Sequence, residues 1–212
     1  KEFGFDISRF RIENTPHSHA SASRAVELVR EGEAEVLMKG SLHTDELMSA
    51  VVSSTTGLRT GRHISHVFVM DVPTYPKPLF VTDAAINIFP TMEDKMHIIQ
   101  NAIDLAHSLG NEKPKVAILS AMETVNPKLQ STIEAGALCK MADRGQITGG
   151  ILDGPLALDN AISADAAAQC SAGSRASRSQ AITPHRPATR PCCNKMTTRM
   201  TRHRKYLLKA LS

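Results

Sequence analysis

The chain has 212 residues, 42% hydrophobic and 22% charged, proportions of a globular protein with its own core rather than a fibrous or low-complexity chain. No apolar run approaches the roughly 18 residues that a membrane-spanning helix needs, so no membrane partner is expected. The net charge of +4 hides a division: ten of the 25 Lys and Arg follow Asp165, the last acidic residue, leaving 15 basic against 21 acidic residues before it, a net of −6.

The ten cations of the basic tail could meet nucleic-acid phosphates, but the tail carries a single aromatic residue, Tyr206, so nucleic acid is not an expected partner. Cys139 stands apart from Cys170, Cys192 and Cys193 in the tail. The body therefore has no cysteine pair for a disulfide, which fits a reducing cytoplasm. The amino end, Lys1-Glu2-Phe3-Gly4-Phe5-Asp6, lacks both an initiator Met and a leader pattern, and reads as the continuation of something upstream.

In chain order, residues 10–13 suit a strand, residues 20–31 a helix ending near Gly32, residues 35–38 a buried strand and residues 44–52 a short helix. Residues 64–72 form a strong strand signal closed by Pro73, and residues 79–81 another after a Pro-rich turn. Residues 92–109 carry the best helical signal. Thr91 can cap it with Asp94 as box partner, Gly110 follows its end, and Met92, Met96, Ile99, Ile103 and Ala106 share one face. Residues 116–119 read as a central strand. Leu129, Ile133, Ala137, Leu138 and Met141 mark a helix stopping at Gly145, and residues 150–153 a strand before a Gly-Pro turn. Helices separate most of the strands, which predicts an α/β protein with a largely parallel sheet covered on both faces and ligands at the strands' carboxyl ends. Beyond residue 167 neither period persists, so residues 168–212 are expected to be a disordered tail.

Five polar stretches follow predicted strands. Lys39-Gly40-Ser41-Leu42-His43-Thr44-Asp45 can offer N–H groups and a helix start to an anion, or be a plain loop capped by Thr44. Thr56-Gly57-Leu58-Arg59-Thr60-Gly61-Arg62 suits phosphate, because guanidinium forks onto its oxygens, but also a solvated turn. Thr82-Asp83-Ala84-Ala85-Ile86-Asn87 follows a strand, where Asp83 is either functional or a structural carboxylate. Glu123-Thr124-Val125-Asn126-Pro127-Lys128 and Asp153-Gly154-Pro155-Leu156-Ala157-Leu158-Asp159 complete the set. No metal site is expected: His17 and His19 are close, yet no Cys or carboxylate joins them at ligand spacing. Neither a Walker loop nor a Gly-x-Gly-x-x-Gly occurs.

Together with Leu37-Met38-Lys39-Gly40, Ile64-Ser65-His66-Val67, Lys140-Met141-Ala142-Asp143-Arg144-Gly145-Gln146 and Asn160-Ala161, these stretches resemble the phosphate acetyltransferase and butyryltransferase family, in order and spacing, from about residue 5 to 167. The butyryltransferase-like branch, which includes forms fused behind a hydratase-like domain, is the more similar. The resemblance implies two αβα lobes with a cleft between them, as in isocitrate and isopropylmalate dehydrogenases, here incomplete: residues 1–120 a first lobe, 121–167 part of a second, and 168–212 the tail. It further implies a homodimer moving an acetyl or butyryl group between acyl phosphate and coenzyme A, with phosphate as the other product and no metal or redox cofactor. Arg59 would hold phosphate, and His43, Thr44, Thr82, Asp83, Asn87, Thr124 and Asn126 would line the cleft.

The chain departs from the family in lacking a Ser-Arg-x-Asp motif tied to catalysis, since Ser174-Arg175 and Ser177-Arg178 have no following Asp; its catalytic residues are left unassigned. Synonymous codons for residues 173–176 and 178–181 permit the family's Ile-Lys-Gly and Val-Ala-Gly in a shifted frame, so the tail is expected to be a frameshift product. The chain is thus expected to be an impaired acyltransferase. The alternative is a non-catalytic remnant that binds acyl phosphate and coenzyme A or pairs with an intact subunit.

Overall fold

The computed structural model describes residue 6 and residues 8–171. They fall into two compact units, one running to Arg62 and one starting at His63. No described helix is long and apolar enough to cross a membrane.

The first unit is built on α1 (Ser18–Arg30) and α2 (Thr44–Val51). His17 caps α1, its Nδ1 accepting the Ala20 N–H at 3.2 Å. Ala22, Ala25, Val26 and Leu28 are the buried face, and Gly32 turns the chain away at φ 75°, a conformation that costs glycine nothing. Arg24 binds Glu13 at 2.7 Å and Glu27 at 2.6 Å, which holds its guanidinium pKa above the ordinary arginine value.

The two strands expected in this unit do not form. Residues 10–13 are irregular, and Arg11 and Glu13 instead enter ion pairs with Glu33 and Arg24. Residues 35–38 are irregular too, with Val36 64% and Met38 63% exposed. A strand needs a neighbour for its backbone groups, and the first unit has no other strand among the described residues.

In the second unit, β1 (Val67–Met70) pairs with β2 (Leu79–Thr82) in antiparallel register, Val67 opposite Thr82 and Met70 opposite Leu79. Residues 71–78, which join them, include Pro73, Pro76 and Pro78. That connection is too short for the crossover of a dozen or more residues that parallel strands require. β1 is shorter than the expected 64–72 strand, and Phe68 is 51% exposed, since a two-stranded ribbon covers little of its own surface.

The other sheet is β3 (Lys115–Leu119) parallel to β4 (Ile151–Leu156). Their register, Lys115 opposite Ile151, shifts between Ala117 and Leu119. The shift coincides with Gly154-Pro155 on β4, where proline has no N–H to give the ladder. Mixed α/β is therefore the class, with parallel pairing among the described residues found in this sheet rather than running through most of the strands.

α3 (Met92–Ser108) and α4 (Gln130–Asp143) supply the core. Ile103 is 1% exposed and Leu138 0%; they cluster with Ile99 and Ile147, and Met92, Met96, Val116, Ile118, Met141 and Leu152 pack around them. Gly150 approaches α3 closely: a Cβ there would lie 2.8 Å from Ile103 Cδ1, which would have to shift. α5 (Leu158–Ile162) and α6 (Ala164–Ser171) end the described chain. The expected tail thus begins inside α6, and residues 172–212, with the frameshift reading placed on them, lie outside the described residues.

The capping box on α3 is complete. Thr91 Oγ1 accepts the Asp94 N–H at 3.2 Å, and Asp94 Oδ2 accepts the Thr91 N–H at 2.8 Å. Because α3 carries the core, losing this cap should lower stability of the whole unit. Thr91→Ala is expected to cost about 1 kcal/mol in a urea titration, whereas Thr124→Ala, at an exposed loop residue, should leave the midpoint within error.

Candidate functional site

The polar residues expected after β2 form one cluster. Asp83 Oδ1 accepts N–H groups from Ala85 at 3.1 Å, Ile86 at 3.2 Å and His66 at 3.3 Å. Its Oδ2 accepts the Asn87 N–H at 3.0 Å and the Asn87 side-chain amide. The same amide reaches the Ile64 carbonyl at 3.1 Å, and Thr82 Oγ1 donates to the His66 carbonyl at 2.8 Å. Thr82, Asp83 and Asn87 therefore clasp residues 64–66 to the turn after β2.

This geometry defines what Asp83 can do. Burial alone would raise its pKa, but the hydrogen bonds from Ala85, Asn87 and Ile86 outweigh that and hold it below the ordinary carboxylate range. A carboxylate so fully bonded is a poor proton acceptor for chemistry and a strong organiser of backbone. His66 beside it has a buried Nδ1 without a hydrogen-bond partner, and its ring meets Phe68 edge-on at 4.5 Å. In the sequence His66 stands out only as part of the Ile64-Ser65-His66-Val67 stretch, because nothing in a strand pattern says which ring nitrogen will be buried.

The two stretches after the parallel strands are also joined. The Asn160 side-chain amide donates to Glu123 Oε1, and Ser120 N–H donates to the Leu156 carbonyl at 2.9 Å. Asn126 N–H donates to Thr132 Oγ1 at 2.9 Å, and Thr132 Oγ1 is bonded to the Asn126 and Leu129 carbonyls at 3.1 and 2.8 Å. Thr132, 0% exposed, thus buttons the 126–129 turn to α4. It was missed because a threonine on a helix reads as surface. Asn126 Oδ1 accepts the Lys128 N–H at 2.9 Å, while Thr124 points no hydrogen bond at this network and is exposed. No hydrogen bond connects Thr124 or Asn126 with the Asp83 cluster among the described residues.

In the first unit, His43 rather than Thr44 takes the N-cap position of α2, in extended conformation and without a side-chain cap bond. Thr44 is the first helical residue, and both are exposed. Arg59 follows a tight turn in which Gly57 N–H reaches the Ser53 carbonyl at 3.1 Å and Leu58 N–H the Val51 carbonyl at 2.8 Å. A Cβ on Gly57 would lie 2.4 Å from that Ser53 oxygen, so only glycine fits. Arg59 is exposed, and among the described residues no carboxylate pairs with it.

Cys139 is no nucleophile. Burial, reinforced by Asp153 and Asp143, pushes its thiol up to about 11, and its Sγ lies 3.7 Å from the Gly154 carbonyl, so the thiol stays protonated near neutral pH.

The depressed pKa of Asp83 has a measurable sign. Its ionised form is favoured in the folded state, so its stabilisation is complete above the unfolded value near pH 4 and is lost as pH falls through the lower folded value. Asp83→Asn should lower stability at neutral pH and flatten the loss of stability on acidification below about pH 4. Thermal melts of both proteins across that range measure the difference.

Comparison with known proteins gives a consistent result. The family described as phosphate acetyl/butaryl transferase matches residues 9–182. A phosphate acetyltransferase of Rhizobium meliloti is 65% identical over 166 residues, covering 78% of this chain and 52% of that protein. A phosphate butyryltransferase of Clostridium acetobutylicum is 45% identical over 166 residues, covering 78% of this chain and 55% of its own length. The crystal structure of a branched-chain phosphotransacylase from Enterococcus faecalis V583 matches with a TM-score of 0.66 and 35% identity, over 74% of this chain and 56% of that one. The chain spans about half the length of the curated relatives it matches. It belongs to the phosphate acetyl/butaryl transferase family.

Proposed function

We propose that the chain takes part in acyl transfer between acyl phosphate and coenzyme A, with an acetyl or butyryl group as cargo. The 65% identity to a phosphate acetyltransferase carries this reading, and the family match over residues 9–182 spans every polar segment expected to serve the site. In the reaction the coenzyme A thiolate forms a C–S bond at the acyl carbonyl while the C–O bond to phosphate breaks, and phosphate takes the electron pair. The thiol proton must pass to a base or to the departing phosphate. No metal or redox cofactor is required by this bond exchange.

Within the reading, Arg59 holds the phosphate: an exposed guanidinium with no carboxylate partner among the described residues, on a turn fixed by Gly57, can fork onto an anion. His43 and Thr44, at the open start of α2, offer N–H groups to the same kind of ligand. Thr82, Asp83 and Asn87 shape a cleft wall by fixing residues 64–66, and Thr124 and Asn126 add polar groups near the carboxyl end of β3, where α/β proteins gather ligands. In the whole enzyme these parts belong to a two-lobed, isocitrate dehydrogenase-like protomer that pairs as a homodimer in the cytoplasm.

Thioester formation from acetyl phosphate and coenzyme A, followed by ultraviolet absorbance, tests the activity. Turnover by this chain should exceed the protein-free rate and fall far below that of a full-length relative. A rate equal to the protein-free control would defeat catalysis by the chain and leave substrate binding alone. Arg59→Ala should weaken inorganic phosphate binding by about 1.5–3 kcal/mol, the worth of a charge-assisted hydrogen bond, as measured by calorimetry on protein with unchanged circular dichroism. Unchanged affinity would remove Arg59 from the site.

A further inference from the structure

A second constellation lies at the start of α3, assembled from residues some thirty positions apart. Glu93 and His97 are separated by four positions on the helix, which puts both on one face. His63, from the segment before β1, lies over them, its ring stacked on that of His97 with centroids 4.7 Å apart and planes at 26°. One ligand atom from each of His63, Glu93 and His97 lies within 4.8 Å of the other two.

The surroundings hold this arrangement in place. His63 Nδ1 lies 2.5 Å from Asp94 Oδ1, so this nitrogen is occupied and Nε2 is the one left to coordinate. Asp94 is itself fixed by the capping box with Thr91. The backbone of His63 is pinned from the same helix, since Asn101 Nδ2 donates to the His63 carbonyl at 2.9 Å and to Ser65 Oγ at 3.0 Å. Imidazole nitrogen held by a carboxylate on its other side is the usual arrangement behind a metal ligand.

We propose that His63, Glu93 and His97 bind a divalent transition-metal ion, Zn2+ by the chemistry of the donors, with Asp94 orienting His63. Two imidazoles and one carboxylate are a known zinc ligand set that leaves a fourth position for water. Tetrahedral bonds of about 2.0–2.1 Å place ligand atoms roughly 3.3 Å apart, so binding would draw the three side chains together from the present spacing of up to 4.8 Å. The positive end of the α3 dipole opposes a cation by about half a charge, and the carboxylates of Glu93 and Asp94 more than offset it. The ion would fasten the His63 segment to α3 and so stiffen residues 63–66, which the Asp83 clasp holds from the other side. It takes no part in acyl transfer.

The test is a calorimetric titration of Zn2+ into the full chain after treatment with N-ethylmaleimide, because the thiols of Cys170, Cys192 and Cys193 also take zinc. A parallel titration with Co2+ reports geometry through its visible absorption. One equivalent should bind, with intense tetrahedral-type Co2+ bands. His97→Gln and His63→Gln, which keep a polar side chain of similar length, should each weaken binding at least tenfold, and Asp94→Asn by about 10–100-fold through loss of the orienting group. Circular dichroism of each variant confirms that α3 persists. Absence of stoichiometric binding overturns the site, as does binding that survives in folded His97→Gln.

Discussion

The second unit depends on one helix being amphipathic in a particular way. The apolar stripe of α3, centred on Ile99 and Ile103, closes against Leu138 of α4 and Val116, Ile118 and Leu152 of the parallel strands. Burying an isoleucine side chain contributes about 1.5–3 kcal/mol, more than the roughly 0.5–1.5 kcal/mol of a typical neutral hydrogen bond. That packing fixes the helix, and the helix then positions polar groups on its other sides. Asn101 pins the backbone at His63, and Asp94 both caps the helix and holds the His63 ring. From that anchored segment the chain enters β1, and the Asp83 clasp grips residues 64–66 from the turn after β2.

Much of this was legible in the sequence. The stripe from Met92 to Ala106, the Thr91 cap with Asp94, and glycines just past three helices gave α1, α3 and α4 almost to the residue, because helix periodicity and caps are local signals. Strands were harder. Residues 35–38 are apolar and β-branched in part, yet pairing is a property of two segments, and no partner lies beside them among the described residues. Residues 64–72 and 79–81 read as strands joined by a Pro-rich turn within a largely parallel sheet; with so short a link the two pair as an antiparallel ribbon. The Gly-Pro in β4 was read as the strand's end, whereas the strand continues through it with a shifted register.

The candidate site was legible as segments and not as geometry. Sequence located the polar stretches after strands, and the structure shows Thr82, Asp83 and Asn87 acting as one clasp while Asn126 is tied to Thr132 instead. Hydrogen-bond partners such as Ile64, His66 and Thr132 could not be found from spacing, since each contact joins segments fixed by tertiary packing. The His63–Glu93–His97 group escaped for the same reason: its ligands approach only after α3 and the segment before β1 are docked. Arg59 differs, because its flanking glycines announce a tight turn and its charge announces an anion, and the structure leaves that guanidinium exposed.

The central proposal is that this chain takes part in exchanging an acyl group between oxygen of phosphate and sulfur of coenzyme A. Running the reaction backwards with isotopically labelled inorganic phosphate and acetyl-coenzyme A tests it most directly, because label enters acetyl phosphate only when a new acyl–oxygen bond forms. The account predicts labelled acetyl phosphate and an equal amount of free coenzyme A, both dependent on the chain. Free coenzyme A without labelled acetyl phosphate would show hydrolysis instead of transfer, and would contradict it.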